Sequence, residues 1–220
     1  MTFSETKAAN AVRFFQSFLV HAKGKWAGQK FLLLDWQRDL VRELFGTLND
    51  DGLRQYRECY VGVPRKNGKS HIGAGIALYM LSADKEPGAE IYGCAEDTDQ
   101  ARIVFDIAAS MVRASPELSA RLKVIDYRKR IVNHSIAGFY EVIAADAAGA
   151  HGFNTSCCIV DEVHTQPNRD LYDVLKTRMG ARRQPLMFSM STAGFNKHSL
   201  WGQLDEYARK VRDGIIDDPT

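Results

Sequence analysis

The 220-residue chain is poor in the features that mark out whole classes of protein. It has only 4 cysteines, Cys59, Cys94, Cys157 and Cys158, and no two are spaced as CxxC. Three of them fall in apolar stretches that read as strands, which points to buried thiols in a reducing compartment and away from a disulfide framework or a zinc site. No apolar run approaches the roughly 20 residues of a bilayer span. The polar Met1-Thr-Phe-Ser-Glu start lacks a signal peptide's order of basic then apolar residues. A cytosolic protein with no membrane partner is expected. One-signed charge is missing too: a net +2 is too small to announce a nucleic-acid binder, so a DNA partner has to be argued from local clusters. Internal repeats and low-complexity segments are also absent.

What is there is a globular composition, 45% hydrophobic and 25% charged, at a length that suits one α/β domain with a real core. The first 50 residues read as a helical lead-in segment. A helical pattern over Ala8 to Val20 is followed by a Gly/Lys-rich connector, then by Trp36, Leu40, Leu44 and Phe45 at helical spacing, with Gly46 as the stop. Residues 51–220 read as the core. From Arg57 onward, short apolar runs near 57–63, 89–94, 139–144, 156–160 and 186–190 alternate with helical patterns, as parallel strands joined by crossover helices do. The helix after Ser70 is apolar on nearly every side, with Gly73 and Gly75 for close approach, and is expected to be buried against the sheet. A second helix, from about Asp97 to Arg113, is amphipathic, with Asp97 and Gln100 at capping-box spacing. Residues 121–133 read as a basic peripheral hairpin.

Two segments carry the chemistry. In the first, Val61-Gly-Val63 supplies a strand and Pro64-Arg65-Lys66-Asn67-Gly68 a turn, followed by Lys69 and Ser70. Such a turn offers successive backbone N–H groups and a helix N-terminus to an anion. The lysine reaches the β and γ phosphates, and the serine is a magnesium ligand. Val63 stands where GxxxxGK[ST] has its first glycine, and a basic turn before a helix is the plain alternative. In the second, the apolar Cys157-Cys-Ile-Val160 ends in Asp161 and Glu162. Alone the two acids read as a solvated strand end; paired with the lysine loop, Asp161 would hold magnesium and Glu162 would orient and deprotonate a water, at the sheet edge where nucleotides bind. Leu186-Met-Phe-Ser-Met-Ser191-Thr192-Ala193-Gly194 is an apolar strand whose hydroxyl tip could sense a γ phosphate, an ordinary strand-to-loop turn with Gly194 at positive φ being the plain alternative. Trp36 could present an aromatic face, and Gln37 a two-way amide, to adenine, with core packing for Trp36 and a solvent-facing Gln37 as the plain alternatives.

The ordered blocks Gly28-Gln29 to Trp36-Gln37, Pro64 to Ser70, His151-Gly-Phe-Asn154, Ile159 to His164 and Ser191 to Gly194 together resemble the large terminase subunit of tailed bacteriophages, most closely the HK97-like branch. The likeness spans roughly residues 20–215. It implies a P-loop NTPase core of the ASCE/RecA-like kind, with helices on both faces of a parallel sheet and a helical N-terminal subdomain. It implies ATP and Mg²⁺ as cofactors and a motor that drives double-stranded DNA into a procapsid. Its implied partners are a portal protein, a small terminase subunit and further copies of itself in a ring, in the cytoplasm of an infected bacterial host and outside the virion. Residue by residue, the resemblance assigns Arg65 to the deviant phosphate loop, Gln37 to adenine, Asp161 and Glu162 to the paired acids and Ser191 to Gly194 to coupling.

Two departures stand out. Many relatives carry an arginine where this chain has His151, which leaves Arg102, Arg128 and Arg130 as unassigned trans-acting candidates. Relatives also continue into a nuclease domain with clustered acids, for which nothing fits before Thr220, so a motor domain alone is expected. Two rivals remain, a DExH-type helicase lobe and an ATP-dependent assembly module with little activity alone. The densest basic segment, Arg169, Lys176, Arg178, Arg182 and Arg183, suits a solvated helix face or a DNA track.

Overall fold

Ser4 accepts a hydrogen bond from the Lys7 N–H and so starts the first helix earlier than its apolar periodicity suggests. The computed structural model describes residues 1–21, 24–94, 98–143, 152–166 and 168–218, with the backbone alone at 98–101. In chain order the elements are β1 (Thr2–Phe3), α1 (Glu5–Phe18), α2 (Asp35–Gly46), β2 (Thr47–Leu48), β3 (Glu58–Gly62), α3 (Lys69–Ser82), β4 (Glu90–Cys94), α4 (Thr98–Ala114), α5 (Pro116–Ser119), β5 (Leu122–Ile125), β6 (Arg130–Asn133), β7 (Gly138–Ile143), β8 (Cys157–Val160), α6 (Asp170–Thr177), β9 (Leu186–Ser191) and α7 (Leu200–Arg212).

Strands β3 to β9 form a 7-stranded sheet in the order β3-β9-β8-β4-β7-β6-β5. The five expected strands, β3, β9, β8, β4 and β7, are its parallel part. The basic hairpin β5–β6 adds antiparallel strands beyond β7. Alternate residues of β8 face opposite layers, as the strand period requires. Cys157 and Ile159 enter the core under α3 and α4, whereas Cys158 and Val160 enter the core under α6 and α7. Both faces are therefore covered, as a parallel sheet demands. Cys94, Cys157 and Cys158 are buried free thiols, and burial pushes Cys157 and Cys158 well up.

Helix α3 is the hub. Ile72, Ile76, Leu78, Met80 and Leu81 are fully buried, each contributing about 1.5–3 kcal/mol of apolar burial. A Cβ on Gly75 would run into the Phe15 ring of α1, and one on Gly73 would meet Met190 of β9, so both glycines permit close approach. Helices α1 and α2 pack on each other and share the α3 core. Gly46 does more than end α2, because a Cβ there would sit 2.7 Å from Phe3 Cε2. The expected Asp97–Gln100 cap lies outside the described residues, as does His151. Among the described residues no helix is long and apolar enough to cross a membrane.

Candidate active site

The loop between β3 and α3 shows how a valine replaces glycine at its start. The Val63 N–H donates to Ser191 O at 3.1 Å, so Val63 prolongs the β3–β9 ladder and needs no left-handed backbone. The turn is made instead by Lys66 (φ 68°) and Gly68 (φ 77°). At Lys66 that conformation costs roughly 1–2 kcal/mol. Asn67 braces the loop from within, its Nδ2 donating to Pro64 O at 3.1 Å and Arg65 O at 3.4 Å. Gln37 braces it from outside. This residue, 2% exposed, accepts the Leu34 N–H at Oε1 (3.0 Å) and donates from Nε2 to Asn67 O (3.3 Å).

The first two side chains of α3 then meet the end of β8. Lys69 Nζ lies 2.5 Å from Glu162 Oε1 and 3.6 Å from Asp161 Oδ1. Ser70 Oγ donates to Asp161 Oδ2 at 2.8 Å. Lys69 and Asp161 are 10% and 7% exposed, so their attraction is little screened. Burial holds the Asp161 carboxyl above the usual carboxylate range, with Lys69 and Ser70 pulling it partly back. Glu162 follows in the left-handed region (φ 50°, ψ 52°), a backbone strain of the kind stored at functional sites.

The tip of β9 joins this cluster through a residue whose role the sequence did not reveal. Ser191 Oγ donates to Thr192 O at 2.7 Å and accepts the His164 N–H at 3.3 Å. His164 Nδ1 lies 3.1 Å from Ser191 Oγ and 3.3 Å from Glu162 Oε2. In the sequence His164 closes the Ile159–His164 block and is the last letter of the DExH pattern, but no role was assigned to it. Ser191 and Thr192 are buried, and Gly194 is wedged against Trp201 and His164.

Of the expected site residues, Lys69, Ser70, Asp161 and Glu162 converge directly, Gln37 joins them through the loop, and Ser191 joins through His164. Pro64, Arg65 and Lys66 are exposed on the loop. Among the described residues the Arg65 and Lys66 side chains form no ion pair. Trp36 is half-buried and packs against the main core.

The profile of the family described as terminase large subunit, ATPase domain, matches residues 35–210. The chain belongs to that family. This terminase domain is 27% identical over 214 residues to the large terminase subunit of Enterobacteria phage HK97, covering 96% of this chain and 42% of that protein. It therefore spans less than half of that relative's length. The crystal structure of the HK97 large terminase superposes with a TM-score of 0.80 at 25% identity, over 94% of this chain and 42% of that one. Two further likenesses concern the fold alone. A large terminase from a thermophilic bacteriophage, in complex with ADP, has a TM-score of 0.55 at 13% identity, over 71% of this chain and 38% of that one. The UvsW helicase of bacteriophage T4 has a TM-score of 0.56 at 16% identity, over 87% and 61%.

The basic segment of the terminase domain is largely spoken for within the chain. Arg169 pairs with Asp173 at 3.1 Å, and Lys176 with Glu58 at 2.5 Å. Arg182 donates to Asn154 O, Pro87 O and Gly88 O, stapling three loops. Among the trans-acting candidates, Arg130 pairs with Glu141 at 3.5 Å and stacks on Phe139, Arg102 pairs with Asp106 at 3.7 Å, and Arg128 lies over the Tyr127 ring.

Proposed function

We propose that the domain is the ATP-hydrolysing motor of a viral DNA-packaging terminase, driving double-stranded DNA into a procapsid. The observation that carries this reading is the convergence of Lys69 and Ser70 from one strand-loop-helix with Asp161 and Glu162 from another strand end. In this reading the loop N–H groups of residues 64–68 cradle phosphates, while Lys69 and Arg65 absorb charge on the transferred phosphoryl group. Glu162 orients the attacking water and takes its proton. The adenine side would fall to Gln37 and Trp36, and Ser191 and Thr192 would respond to loss of the γ phosphate.

The donor set fits magnesium. Among the described residues no three His, Cys, Asp or Glu side chains cluster to hold a metal, and one hydroxyl beside one carboxylate suits an ion that keeps waters and takes phosphate oxygens. Ser70 and Asp161 would hold it, and it would neutralise charge on the phosphates. Portal protein, small terminase subunit, a ring of like subunits and the host cytoplasm complete the proposal by family resemblance.

The likeness to UvsW keeps a helicase motor lobe as the second reading. ATP turnover by this chain is measured against protein concentration, with and without duplex DNA, beside strand separation of a forked duplex. The motor reading expects turnover that rises with concentration and DNA, is abolished by Lys69→Ala, and proceeds without strand separation. Turnover indifferent to Lys69→Ala rejects the site. Strand separation favours the helicase, and nucleotide binding without turnover at any concentration favours an assembly module.

A further inference from the structure

The Ser191 hydroxyl has one hydrogen and two lone pairs. Its hydrogen is committed to Thr192 O at 2.7 Å, and one lone pair accepts the His164 N–H. His164 Nδ1, 3.1 Å away, can hydrogen-bond the remaining lone pair only as a donor. The neutral ring is thereby fixed as the Nδ1–H tautomer. A second acceptor stands beside the same nitrogen: Glu162 Oε2 lies 3.3 Å from Nδ1, is buried, and receives no hydrogen bond from any described group. The other Glu162 oxygen is held by Lys69.

From this geometry we infer that His164 is a positioning residue whose one Nδ1–H, bonded to Ser191, can turn to Glu162, tying the direction of the water-activating carboxylate to the conformation of the 191–194 tip. The inference rests on the motor reading for what Glu162 does, but its geometric core does not. When Lys69 turns from Glu162 to a phosphate, the carboxylate loses its strongest partner and draws the Nδ1–H to itself. Ser191 Oγ then loses an incoming hydrogen bond. The tip bears on His164 directly, since a Cβ added at Gly194 would stand 3.0 Å from His164 Cβ and 2.9 Å from the Trp201 ring. A change in the ring's partner is therefore felt by Ala193, Gly194 and the fully exposed Phe195 beyond them.

Two measurements test this. Long-range ¹⁵N–¹H correlation spectra of the ¹⁵N-histidine chain near pH 8, where free imidazole is neutral, report the tautomer, with His164 assigned by its loss in His164→Asn. An Nδ1–H pattern that changes in Ser191→Ala supports the inference, and an Nε2–H pattern overturns it even in a chain that hydrolyses nothing. In turnover, His164→Ala is expected to lower kcat about tenfold with nucleotide affinity held within about threefold, because carboxylate orientation and not binding is lost. His164→Asn, which keeps an N–H near the Nδ1 position, restores part of the rate. The His164→Ala and Ser191→Ala losses are expected to be non-additive. A kcat within twofold of wild type, no rescue by asparagine, or strictly additive losses each overturn the assignment. Failure of the motor reading shows separately, as indifference to Lys69→Ala.

Discussion

Lys69 and Glu162 form the shortest ion pair of the site, 2.5 Å between Nζ and Oε1, on elements 93 positions apart. A phosphate arriving at Lys69 must displace this carboxylate, so the residue that activates water also competes for the cation. Glu162→Gln removes the competitor. Its expected outcome is tighter binding of a fluorescent ATP analogue, by up to about tenfold, with turnover lower by about 10²–10⁴. Unchanged affinity in a titration would contradict the competition.

Asp161 supplies the pH prediction. Its folded carboxyl titrates above the ordinary aspartate range because burial disfavours the charge. The folded chain thus binds this proton more tightly than the unfolded chain, and stability falls as pH rises through the folded titration. Asp161→Asn is expected to raise Tm at neutral pH while abolishing turnover. The gain shrinks toward about pH 4, where the unfolded carboxyl is protonated as well. Thermal melts across pH check it, and a variant less stable at pH 7 than at pH 4, relative to wild type, refutes it.

Gly194→Ala is expected to cost about 1–3 kcal/mol by overpacking, since its Cβ would press on the Trp201 ring. The tip is then displaced, and the loss in turnover should exceed the loss in nucleotide binding. Urea denaturation with parallel kinetics measures both.

Arg54, in the connection from β2 to β3, and Asp84, just past the end of α3, form a pair at 3.0 Å, with side chains only 3% and 7% exposed. Arg54 also donates to Tyr56 O and Gln184 O. Arg54→Ala strands a buried carboxylate and is expected to cost about 3–5 kcal/mol, whereas Arg54→Met with Asp84→Leu should cost less than the single change. At about 2–4 °C per kcal/mol for a chain of this size, melting separates the outcomes.

The parallel strands were legible because each is a short apolar run bounded by polar turns, and the predicted 186–190 segment became Leu186–Ser191 almost unaltered. The paired acids and the lysine loop were legible as motifs, and the structure brings them into contact. Sheet order was not legible, because an apolar run advertises burial but not its neighbours. Nothing in Leu186–Ser191 says that it lies between β3 and β8. The tolerance of Val63 was equally hidden, since it depends on a hydrogen bond to Ser191, 128 positions away. Helix α7 and the small β1–β2 sheet also went unread, although in α7 Leu200, Trp201, Leu204, Tyr207, Ala208 and Val211 recur at helical spacing with the charges on the opposite face. His164 was visible as part of a motif but its role was not, because a histidine after two acids has no chemistry of its own until Ser191 folds against it.

Strand β9 is laddered on both sides, Ser191 opposite Gly62 of β3 and Ser189 opposite Val160 of β8, with every residue buried. A one-residue slip would turn all of its side chains to the wrong layer and break two ladders at once. The strand cannot behave as a piston between nucleotide and cargo. It is a fixed post, and any stroke must be a swivel of the few residues mounted on its end.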